Sequence, residues 1–167
     1  VNPVKAPSTY AFNFEVIVDA FEIKDDSGQR YTFLSVVCNG TTFHVIAMVA
    51  EGGGSPSSHK CYMKFQVYWS SWAGWPRVLT TDRGLHNRGD FARGLAANGV
   101  YQRQAGLEAP EQIGRGERHG GIIKKNMKAI IKANRVIGKQ KMKMVASVAQ
   151  ETKNSEMKKG GFSPAQW

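Results

Sequence analysis

Three acidic residues sit where elements of structure should meet. Asp19 follows the apolar, β-branched run Phe14-Glu15-Val16-Ile17-Val18, and Asp82 closes a short apolar run before Arg83-Gly84. Glu117 lies 35 positions after Asp82 and heads a stretch whose other charges are all positive. Carboxylate oxygens suit small, hard cations such as magnesium, so two strand-end acids and one helix acid form a candidate metal-binding set. The chain has 13 acidic residues against 23 Lys and Arg, a formal net charge of +10. Acids so placed in so basic a chain point to metal ligands in an enzyme acting on nucleic acid. Taken singly, each has an ordinary role: Asp19 and Asp82 as turn formers, Glu117 as a partner of a helix amino terminus. Glu22 is the nearest rival, but three residues past Asp19 on an alternating strand it faces the other side. Asp90 reads as a helix N-cap.

The elements that must position these acids can be read from periodicity and turn residues. Phe14–Val18, Tyr31–Val37 and Phe43–Val49 read as strands. Asp25-Asp26-Ser27-Gly28 and Asn39-Gly40 supply hairpin turns between them, so a three-stranded antiparallel meander opens the chain. Glu51-Gly52-Gly53-Gly54-Ser55-Pro56 breaks the pattern, and Ser57 or Ser58 caps a helix running to Trp72. A strand over Arg77–Thr81, a helix over Asp90–Ala97 and a strand over Val100–Gln104 follow. Ala105–Gly116 reads as a mobile loop, Glu117–Ala133 and Lys139–Lys153 as helices, and the chain closes in a loop. Residues 1–10 and 155–167 are expected to be extended or loop ends of a single domain spanning 1–167.

On a helical wheel Lys124 and Lys128 fall about 20° to either side of Glu117. Ile123, Met127, Ile130 and Ile131 cluster on a separate face. One face can pack while the other meets phosphate. Between Arg118 and Lys143 there are nine Lys or Arg and no acid, a surface that neutralises phosphates without reading bases.

Composition narrows the remaining classes. A pI near 9.8 fits a polyanionic partner, and no apolar run approaches the roughly 20 residues of a spanning helix. Cys38 and Cys61 read as buried thiols, and His44, His59, His86 and His119 match no zinc-ligand spacing. Trp69, Trp72 and Trp75 are expected in the core or on a dimer surface. The first residue is Val, which suggests a fragment or a processed piece.

These motifs together resemble the catalytic core of a retroviral or retrotransposon integrase, in the ribonuclease H-like superfamily. The resemblance rests on Asp19, on Trp75-Pro76 before the strand ending Thr81-Asp82-Arg83-Gly84, and on Pro110-Glu111-Gln112-Ile113-Gly114-Arg115-Gly116-Glu117 leading into a basic helix. The closing Lys158-Lys159-Gly160-Gly161-Phe162-Ser163-Pro164 is similar to the end of that core. It implies an α/β fold with a mixed five-stranded sheet, three antiparallel strands then two further strands, flanked by helices. It carries Asp19, Asp82 and Glu117 onto the catalytic, metal-holding positions with two magnesium or manganese ions. Asp19 would bridge both ions, with Asp82 and Glu117 completing one shell each. The family usually has 35 residues between its second Asp and its Glu, where this chain has 34. DNA contacts are implied for Lys124, Lys125, Lys128, Gln112 and Arg115, although the family's loop amide falls where this chain has Ile113.

The implied activity is DNA 3′-end processing and strand transfer, with element ends and target DNA as partners and no membrane. A homodimer or higher oligomer is implied, working in the nucleus or a cytoplasmic nucleoprotein particle. The family's zinc-binding and carboxy-terminal DNA-binding modules would lie beyond both ends. A ribonuclease H-like nuclease, a DNA transposase and an inactive DNA-binding or self-associating remnant are the alternatives. Ribonucleases H commonly add a carboxylate from the first helix, and Ser57–Trp72 contains none.

Overall fold

A computed structural model describes residues 11–81, 89–104 and 110–156, the side chains of 110–115 excepted. Five strands form one mixed sheet: β1 (Glu15–Lys24), β2 (Arg30–Cys38), β3 (His44–Glu51), β4 (Val78–Thr81) and β5 (Tyr101–Gln104), in the order β3-β2-β1-β4-β5. The first three make the expected antiparallel meander. β4 then returns to the other edge of β1 and runs parallel to it, with β5 parallel to β4. The chain therefore leaves β1 in one direction and comes back on its opposite side. In open α/β sheets such a switch point opens a crevice at the strands' carboxyl ends, where ligands bind.

β1 is longer than the apolar run suggested. It continues past Val18 because the residues from Asp19 to Lys24 keep pairing with β2 as far as Arg30. Asp19 therefore lies within a strand rather than at its end. Beyond it the β1–β2 turn is pinned by Asp25, whose carboxylate accepts from the Ser27 hydroxyl, the Ser27, Gln29 and Gly138 N–H groups and the Tyr31 hydroxyl. Burial alone would raise the Asp25 pKa, but these donors bring it down to about 2.

Helix α1 (Ser58–Phe65) is capped by the Ser57 hydroxyl on the Lys60 N–H, then continues through a π-helical turn, Gln66–Ser70, into the short α2 (Ser71–Ala73). With α3 (Asp90–Ala97) it covers one face of the sheet. There Val16, Val18, Leu34 and Val36 meet Cys61, Phe65, Trp69, Phe91 and Leu95, all buried. Gly94 lets α3 approach α1: a Cβ built on it would stand 2.1 Å from the Tyr62 ring. Asp90 is the first residue of α3, not its cap; Gly89 holds the cap position, and Asp90 pairs with Arg93 and His59 instead. Trp69 is core, Trp72 is half exposed and Trp75 packs on Tyr62 and Phe65.

The other face is covered by α4 (Pro110–Asn134) and α5 (Lys139–Glu156). Ile123, Met127 and Ile131 of α4 pack on Ile23, Tyr31 and Phe33, as the helical wheel requires, together with Met142, Val145 and Ala146 of α5. α4 begins seven residues before Glu117, so residues 110–116, expected as loop, are helix. Pro110 suits a first helical position. The glycines at 114 and 116 hide the helix there, since each weakens intrinsic helix preference. α5 reaches Glu156, three residues past the expected end. No helix among the described residues is long and apolar enough to cross a membrane.

Candidate active site

The site is built at the β1–β4 switch point. Their parallel register ends at the pair Val18–Thr81. Asp19 is the next residue of β1, half-buried, with one carboxylate oxygen accepting the Ala20 N–H at 2.8 Å. Asp82 follows Thr81 in the sequence and lies outside the described residues.

The third acid arrives from α4 through a glycine. A Cβ built on Gly116 would lie 2.7 Å from Cγ2 of Ile17, closer than any real side chain permits. Here the helix backbone rests on β1. Ile17 and Asp19 share a sheet face, and Glu117 directly follows Gly116, so the acids of β1 and α4 flank one close contact between their elements. Glu117 itself is exposed and occupies the third turn of α4. Its depth in the helix removes the reading of Glu117 as a partner of the helix amino terminus, because that field fades within the first turn.

The basic residues of α4 divide by position. Lys124 is half-buried, while Lys125 and Lys128 are exposed. Gln112 and Arg115 belong to α4 by backbone, with side chains outside the described residues. Gly120 and Gly121 have nothing within 4 Å of a built Cβ, so the helix presents bare backbone beside Glu117. Glu22 lies apart, paired with Arg30 at 3.4 Å. Cys38 and Cys61 are buried free thiols.

Sequence reading missed the polar residues that hold this sheet face together. Glu15 is buried on the same face as Asp19 and accepts from Thr80 at 3.1 Å, Asn39 at 3.3 Å and Arg103 at 3.4 Å, tying β1 to β4 and β5. Alternation with Ile17 and Asp19 was the available signal. His44, wholly buried, lies 2.6 Å from the Ser35 hydroxyl through Nε2, and no spacing in the sequence announced that pair.

Among the described residues no three His, Cys, Asp or Glu side chains group closely enough to hold a metal ion. The acids at the switch point are nonetheless hard oxygen donors of the type magnesium takes.

Solved structures of similar shape are integrase cores. The magnesium complex of the HTLV-2 integrase catalytic core, in its dimeric form, superposes with a TM-score of 0.73 at 16% identity over 93% of this chain and 95% of that one. Its trimeric form gives 0.70 at 17% identity over 95% and 97%. This is the integrase-core fold. A chain of the simian T-cell lymphotropic virus intasome, in complex with PP2A regulatory subunit B56 gamma, gives 0.78 at 16% identity. The match covers 94% of this chain but 54% of that longer one. No protein-family model and no curated sequence matches the chain. The integrase-core fold accounts for the mixed five-stranded sheet with flanking helices that the resemblance implied.

Proposed function

We propose that the chain is the catalytic core of a retroelement integrase, a polynucleotidyl transferase that trims DNA 3′ ends and joins them to target DNA. One observation supports this above all: the contact of Gly116 with Ile17 draws together the elements carrying Glu117 and Asp19, on the strand beside β4, after whose last residue Asp82 follows in the sequence. In this role Asp19, Asp82 and Glu117 hold two magnesium or manganese ions, which when bound activate an attacking oxygen and stabilise a leaving one. The Ala20 N–H fixes the orientation of the Asp19 carboxylate. Lys124, Lys125 and Lys128, with Gln112 and Arg115, bind the phosphates of the element end. The bare backbone at Gly120 and Gly121 leaves room for that strand beside Glu117. The partners are thus element and target DNA, and a second copy of the chain at least, in a nuclear or cytoplasmic nucleoprotein particle.

The test uses a branched DNA resembling a strand-transfer product. With magnesium or manganese the protein should resolve it, and Asp19→Asn or Asp82→Asn should lower the rate by about a thousandfold or more without unfolding the chain. That factor corresponds to about 4 kcal/mol, the several kcal/mol that metal catalysis supplies. Unchanged activity in either variant sinks the site. Cleavage of RNA in a hybrid, without DNA joining, would instead identify a ribonuclease.

A further inference from the structure

We infer that His44 is a positioning residue that sets the separation of the Asp19 and Glu117 carboxylates; this rests on the proposed metal site. Ser35 is the residue directly opposite Asp19 across the β1–β2 ladder. Directly opposed residues have Cβ atoms about 4.5–5.5 Å apart on one face, so the Ser35 side chain stands beside the Asp19 carboxylate. Its hydroxyl is 2.6 Å from Nε2 of His44 on β3, and both residues are buried.

His44 is itself immobilised. The side-chain amide of Asn154 on α5 accepts its backbone N–H at 2.9 Å and donates to its carbonyl at 2.8 Å. A parallel contact, Ile46 N–H to the Gln150 side-chain oxygen at 2.9 Å, holds the next outward-facing group of the same strand. The His44 ring then stands edge-on to the ring of His119, with centroids 6.4 Å apart and planes at 82°. His119 lies two residues after Glu117 in α4. One buried imidazole thus touches the cross-strand neighbour of Asp19 on one side and the turn that carries Glu117 on the other.

Burial keeps this imidazole neutral, helped by the charges of Lys153 and His119, all of which lower its pKa well below 6.5. A neutral ring offers one donor and one acceptor nitrogen, so it can hold the Ser35 hydroxyl in a fixed orientation without bringing a charge into the core. An apolar residue of the same size would fill the space and leave Ser35 unheld. Groups that directly hold a metal-binding side chain typically cost 10- to 100-fold in metal affinity when removed, and His44 acts on Asp19 through such a neighbour, Ser35.

The experiment is manganese binding to the full chain, read by electron paramagnetic resonance of the free ion, alongside thermal unfolding. Wild type should bind manganese, and Asp19→Asn should abolish it. His44→Phe, which preserves bulk, and Ser35→Ala should each raise the manganese Kd about tenfold or more, while the double variant should lose no more than the worse single one. His44→Gln, which can present an amide to Ser35, should recover much of the affinity, and Ser35→Ala carries the test if His44→Phe fails to fold. A role confined to packing would lower the unfolding temperature and leave the Kd of folded protein unchanged. Wild type that binds no manganese, or an Asp19→Asn variant that binds as tightly, overturns the metal site and this inference with it. Manganese binding that depends on Asp19 but is equal in wild type, Ser35→Ala and the folded His44 variants overturns this inference alone.

Discussion

The two faces of the sheet are built from different chemistry. Under α1–α3 the buried side chains are aliphatic and aromatic, with threonine hydroxyls such as those of Thr32 and Thr81 the polar exceptions. Under α4 and α5 the same strands bury or half-bury Glu15, Asp19, Ser35 and His44, and the helix above adds Lys153 and Asn154. A polar group buried without a partner costs free energy, and that cost falls on Thr32 Oγ1 under α1–α3 and on His44 Nδ1, His119 Nδ1 and Lys153 Nζ under α4 and α5. Local rules of burial are most often broken where a protein does chemistry. The broken rule here coincides with the proposed metal-binding elements.

That contrast can be broken by substitution. The largest stability effect should fall on the apolar face: Phe65→Ala removes a fully buried ring and should cost about 3–5 kcal/mol in urea unfolding. The rate of DNA resolution per folded molecule should stay near that of wild type. A large loss of activity at full folding would show that the two faces are not separable.

Next comes Lys153, whose ammonium is buried without a hydrogen-bond partner among the described residues. Burial lowers its pKa from 10.5 to about 8. Between these values the unfolded chain binds a proton that the folded chain does not, so this group makes stability rise with pH from about 8 to 10.5; below about 8 its penalty is constant. Lys153→Met should therefore stabilise the fold at pH 7 by up to about 3 kcal/mol, on the scale of 1.36 kcal/mol per pKa unit. The gain should shrink toward pH 10.5. Equal stability of variant and wild type at pH 7 would mean that the polar face does not bear this cost.

The smallest stability effects, and the sharpest test, lie within α4. Gly116→Ala and Gly121→Ala both improve helix propensity by about 0.5–1 kcal/mol. At Gly121 there is open space, and the gain should appear in full. At Gly116 the new methyl meets Ile17, so the helix must shift and the gain should vanish. Activity separates them further. A displaced Glu117 should slow resolution about tenfold or more, while Gly121→Ala should alter chiefly the affinity for DNA. Like responses at the two positions would argue that α4 does not set the site.

The amino-acid order was sufficient for the strands, the turns and the apolar stripe of α4. Each of these depends on neighbours within a few positions, whose alternation or helical spacing is directly visible. It failed where local preference and tertiary contact disagreed. Three glycines and Pro110 made 105–116 look like a loop, yet Pro110 opens a helix there because the backbone of Gly116 can rest on Ile17. The end of β1 was misjudged because its pairing with β2, not its hydrophobicity, carries it to Lys24. The Glu15–Thr80–Arg103 and Ser35–His44–Asn154 clusters join residues up to 110 positions apart. Nothing in the spacing of such residues reveals their partners, since only the assembled sheet and the two helices across it fix which side chains meet.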